Sequence, residues 1–210
     1  MALKTGLATA APHEKIDGYF GIDVEAQRRI GTFVVMCSML EMQVERVAIC
    51  LKGQLEPGER IWTDGKVISD LIAEATKLLG RIPQEEVREV VRLALGVAGD
   101  LLAIRHTVVH GVPIGATAES KAVLARNKSW FGEVRRREQS QVAADGEVLN
   151  HAATIADLLF RVLGCSMSAL GGHWPVDLLL RETDNLRAAA ARAAEMKKQA
   201  LVPRTDRSGA

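Results

Sequence analysis

Between Asp23 and Gly53, apolar residues return every third or fourth position: Ile30, Phe33, Val34, Cys37, Leu40, Val44, Val47, Ala48 and Leu51. That period belongs to an α-helix, and it gathers these side chains onto one face. The spacing predicts a long amphipathic helix over 23–52, with Asp23 as N-cap and Gly53 as stop. Its stripe has to be covered by other elements, so the chain is constrained towards packed helices. The run FVVMCSMLEMQVERVAICL is apolar but is interrupted by Glu41, Glu45 and Arg46. A membrane-crossing segment needs about 20 mostly apolar residues, so a core helix is expected instead.

The same reading continues along the chain. A second helix is predicted over 63–79, capped by Thr63 or Asp64 and stopped by Gly80. A third opens at Pro83, with Glu85 and Glu86 at the positive end of its dipole, and runs to His110 before Gly111 and Pro113. A fourth covers about 147–170, and a last helix runs from Pro175 to about 199. Residues 116–146 lack a helical period and alternate in part, which predicts a loop with a β-hairpin. Residues 1–21 read as a loose arm, 22–200 as one domain and 201–210 as a tail. The expected fold class is all-α, a bundle of four or five helices with a small β-hairpin insertion. Alternating strand and helix signals are missing, which disfavours a parallel-sheet fold.

With 27 basic and 26 acidic residues the net charge is +1, so no global field selects nucleic acid or membrane. Binding to nucleic acid would have to come from a local patch. Cys37, Cys50 and Cys165 are odd in number, without CxxC spacing, inside apolar helices. They read as small buried hydrophobes in a reducing cytoplasm. The N-terminus lacks the apolar run of a signal peptide.

Charged residues interrupt two of the apolar stripes. In the third helix Val87, Val90, Val91, Ala94, Val97, Ala98, Leu101, Ile104 and Val108 mark the core side, and Arg105 falls among them. In the first, Glu41 lies seven residues from both Val34 and Ala48. An unpaired charge at such a position costs several kcal/mol. Glu41 and Arg105 are therefore expected to approach each other; the alternative is that both reach solvent at the helix ends. Gly96, Ala103 and His110 stand nearly in line on the other side, flanked by Gly99 and His106. Two glycines there predict close backbone approach by another helix, from this chain or from a second copy related by two-fold symmetry.

Imidazole takes and gives protons near neutral pH, and a guanidinium holds a phosphate through paired hydrogen bonds. Together they suit RNA transesterification without a metal. Arg105-x4-His110, at the end of an amphipathic helix and followed by Gly111, resembles the R-x4-6-H signature of HEPN domains. A polar residue follows the Arg in that family, and His106 fills the place. The resemblance implies a helical, commonly homodimeric fold and a metal-independent endoribonuclease of a toxin–antitoxin, phage-defence or RNA-processing type. It implies Arg105 and His110 as catalytic residues, His106 as auxiliary and Glu41 as the acidic residue of an earlier helix. An antitoxin protein is an implied partner. The tyrosine that some toxin members carry two residues after the His is replaced here by Val112. Some members are inactive binding modules, and that non-enzymatic reading stands as the alternative.

The segment 121–138 concentrates Lys121, Arg126, Lys128, Arg135, Arg136 and Arg137 around Trp130 and Phe131. Basic side chains with interleaved aromatics suit single-stranded RNA, so Arg126, Lys128, Trp130 and Arg135–Arg137 are the candidate RNA contacts. A solvated hairpin with a docked aromatic would show the same composition. His106 and His110 have a zinc-compatible spacing, but HExxH and a third ligand are missing, so neither metal nor cofactor is expected.

Overall fold

The computed structural model describes residues 11–53, 63, 65–115, 123–126, 140–143, 146–170 and 176–200. The fold is all-α with a small antiparallel sheet. In chain order the helices are α1 (Pro12–Phe20), α2 (Val24–Lys52), α3 (Ile68–Leu78), α4 (Glu85–His110), α5 (Glu147–Leu170), α6 (Val176–Leu180) and α7 (Thr183–Ala200). The strands are β1 (Val112–Gly115), β2 (Val123–Arg126) and β3 (Ser140–Ala143), in sheet order β1-β2-β3.

The long helices follow their apolar periods. On α2, Phe33, Cys37, Leu40, Val44, Val47 and Ala48 are fully buried; on α4, Val91, Ala94, Ala98 and Leu101 are. The Asp23 carboxylate accepts from the Ala26 N–H at 2.7 Å, the expected N-cap of α2. At the other end Gly53 takes a φ of +81°, which an L side chain resists, and its N–H donates to Cys50. The stretch Glu147–Met167 of α5 is apolar and long enough to cross a membrane by composition. Its Leu149, Ala152, Ala156, Leu159 and Leu163 are buried within the protein, as the helical period expects.

Four expectations change. The arm expected over 1–21 contains α1. Pro12 opens this helix, Glu14 reaches back to the Ala11 N–H at 2.8 Å, and Gly21 closes it at φ +67°. None of its residues is buried, so it leaves no apolar stripe for a periodic reading to find. The second helix starts at Ile68 rather than near Thr63, whose hydroxyl donates to Glu45 instead of capping. The last helix is two, because the chain turns at Arg181–Glu182 and restarts at Thr183, where Asn185 donates to Glu182 at 2.9 Å. The hairpin is a three-stranded meander that begins at Val112, directly after α4.

The described chain divides into two compact units. One, within Val35–Leu102 and Ala153–Glu195, is helical. There the Arg81 guanidinium donates to the Leu51 and Lys52 carbonyls, both at 3.0 Å, satisfying the end of α2. A β-carbon on Gly99 would lie 3.9 Å from Ile72 Cδ1, and one on Gly96 would meet nothing within 4 Å among the described residues. Among the described residues the close backbone approach expected at these glycines is therefore not made, and Gly99 has ordinary side-chain contact with α3 instead.

The other unit lies within Met1–Val34, Ala103–Ala152 and Met196–Ala210 and contains the sheet. Gln27 ties α1 to α2 by donating to the carbonyls of His13, at 3.0 Å, and Ile22, at 2.8 Å. Gly111 joins α4 to β1. A β-carbon there would collide with the Thr107 carbonyl oxygen and would lie 3.3 Å from both Ala125 N and Leu124 Cβ. Two of these three atoms are backbone and cannot swing away. Gly111→Ala is expected to lower stability by about 1–3 kcal/mol, measured by chemical denaturation, because the junction must shift to admit a methyl group.

Candidate functional site

The last two turns of α4 carry Arg105, His106, Thr107 and His110. The helix stays regular to His110, so its side chains follow helical spacing. His106 and His110 fall about 40° apart on the helix wheel. Their rings meet edge to face, with centroids 4.5 Å apart. His110 is exposed and His106 half-buried, so the pair stands at the rim of the protein. Arg105 and His110 are about 140° apart on the same wheel. Helical geometry alone directs them to different sides, and α4 does not unwind before Gly111 to change that.

Arg105 is half-buried, and its Nε is among the buried atoms. This agrees with its place on the apolar stripe. Glu41 is half-buried on α2, in the helical unit, whereas Arg105 belongs to the unit with the sheet.

The sheet supplies a part of the site that the helix pattern could not reveal. On β2 and β3, Leu124, Arg126, Ser140 and Val142 are all buried, whereas on the other face Val123 is buried, Ala125 and Ala143 are half-buried and Gln141 is exposed. Leu124 pairs with Val142 and Arg126 with Ser140. Cross-strand partners share a face, and so do residues two apart. These four side chains therefore form the inner face, and the Ser140 hydroxyl lies 2.7 Å from the Thr107 hydroxyl of α4. Arg126, expected as a surface RNA contact, is only 7% exposed on this inner face. Lys128, Trp130, Arg135, Arg136 and Arg137 lie outside the described residues.

Other chemistries find less support. Among the described residues no three His, Cys, Asp or Glu side chains are grouped to hold a metal ion. Cys37 is buried, Cys50 and Cys165 are half-buried, and none is in a disulfide. Burial pushes the Cys50 thiol up, away from the thiolate that a nucleophile needs. Ser166 is buried and donates to the Val162 carbonyl at 2.7 Å, which makes it a packing residue of α5.

The Thr107–Ser140 contact yields an asymmetric prediction. Thr107→Val strands the Ser140 hydroxyl and should cost about 1–3 kcal/mol. Ser140→Ala should cost less, because the Thr107 hydroxyl still has the Ala103 carbonyl at 3.4 Å. The double variant should cost less than the sum of the two, as a denaturation double-mutant cycle will read.

Comparisons with models of known families, with curated proteins and with solved structures find no match to this chain.

Proposed function

We propose that this protein is a metal-independent endoribonuclease of the HEPN type, working as a homodimer on RNA in a toxin–antitoxin, phage-defence or RNA-processing setting. The observation that carries the reading is the contact between the His106 and His110 rings at the end of the helix bearing Arg105-x4-His110. Two adjacent imidazoles can divide the work of transesterification. Neutral His110, the more exposed, takes the proton of a ribose 2′-hydroxyl. The 2′-oxygen attacks phosphorus, and the P–O5′ bond breaks. Protonated His106 gives its proton to the departing 5′-oxygen. The products are a 2′,3′-cyclic phosphate and a 5′-hydroxyl.

Arg105 would steady the charge on the pentacoordinate phosphate. Because Arg105 and His110 of one chain diverge along α4, the reading places Arg105 of one protomer beside the histidines of its mate. The sequence favours RNA: Lys128 and Arg135–Arg137 fall in the chain between β2 and β3, and Ser140 of β3 meets Thr107 of α4.

The test is incubation of the purified protein with total RNA in EDTA. Wild type should leave 2′,3′-cyclic phosphate ends, and His110→Ala should lower the rate by about 10²–10⁴-fold while its helical circular dichroism persists. A light-scattering mass of two chains should accompany activity. Wild type that binds RNA without cutting it would replace this reading with that of a binding module, and cleavage that depends on a divalent metal would end it.

A further inference from the structure

We infer that Arg126 is a positioning residue for an anion held at the His106–His110 pair within a single chain. The first argument is geometric. Arg126 and Ser140 are register partners, so their side chains leave the sheet on the same face. Ser140 reaches Thr107 at 2.7 Å, so this face meets the last turns of α4. On an α-helix His110 is about 60° and His106 about 100° from Thr107, whereas Arg105 is about 160° from it. The face that carries Arg126 therefore meets α4 nearer to the histidines than to Arg105 of the same chain.

The second argument is electrostatic. The carboxyl end of a helix bears about half a negative charge, concentrated on its last carbonyls. An anion approaching His106 and His110 meets that repulsion. A single imidazolium offsets it only in part. The Arg126 guanidinium adds a permanent positive charge, since arginine does not lose its proton in proteins. At 7% exposure, Arg126 is shielded from the salt screening that weakens surface charges. It is too buried to seize a free ligand. It acts instead on the anion that the imidazoles hold, by field and by fixing the wall behind them.

This inference rests on the histidine pair being an anion site, as in the proposed function, but its test does not need cleavage. Inorganic phosphate is titrated into the full-length protein while the ring protons of His106 and His110 and the Nε–H group of Arg126 are followed by NMR. In wild type, the histidine and Arg126 signals should move with one common midpoint. Arg126→Met should weaken the midpoint by about tenfold, and Arg126→Lys by about threefold or less. The wild-type titration stands even where Arg126→Met does not fold.

The inference is overturned by two outcomes. One is a folded Arg126→Met protein with the wild-type midpoint. The other is a wild-type protein whose histidines ignore phosphate. A phosphate response through Arg126 in a protein that does not cut RNA would keep this inference and remove the nuclease. Cleavage with the wild-type midpoint kept in folded Arg126→Met would do the reverse.

Discussion

Where α4 meets β1 there is no room for a side chain, and the arrangement of the polar groups nearby follows from that. Gly111 lets the chain pass from a helical turn into a strand while the Thr107 carbonyl, Ala125 N and Leu124 crowd the place a β-carbon would take. The junction is short, so the sheet is folded directly against the end of the helix. Ser140 thereby reaches Thr107, and the register that brings it there brings Arg126 as well. A longer connection would let the meander swing free, and its guanidinium would be one more solvated surface charge.

The regularity of α4 up to His110 has two consequences that pull in opposite directions. It stacks His106 and His110, because residues four apart lie one above the other on a helix. It also separates Arg105 from His110, because residues five apart do not. Six residues that read as one unit in the sequence thus present two separate sides of one regular helix. In the proposed nuclease a second protomer would complement the arginine, and the sheet would complement the histidines.

The helices were legible where burial imposes a period. The stripes of α2 and α4 are read from their apolar residues, and the structure buries them except Ile30 and Val34, which are half-buried. α1 was not read in this way because none of its residues is buried, although Pro12, Glu14 and Gly21 are the start and stop signals of a short helix. The break at Arg181–Glu182 is likewise a turn inside a stretch that reads as one helix, which composition alone conceals. Within the site, the grouping of His106 with His110 follows from spacing. The burial of Arg126 does not. In "VLAR" an arginine after three apolar residues reads as the exposed end of a strand. Only the pairing with Ser140, fourteen positions on, decides which face it takes.

Burying a guanidinium carries a large desolvation penalty, and the location of Arg126 reduces it. The carbonyl end of α4 offers the negative potential that a cation seeks, so the same dipole that opposes an incoming phosphate stabilises the arginine behind it. In the inferred site the histidine pair lies at the rim, in front of that arginine. A phosphate reaching them would meet positive charge from the front and from behind, with the helix dipole balanced between. For an isolated helix end, anion binding would be the wrong chemistry. What makes it physically reasonable here is the sheet, which turns a strand arginine inward at the one end of α4 where a buried cation is tolerated.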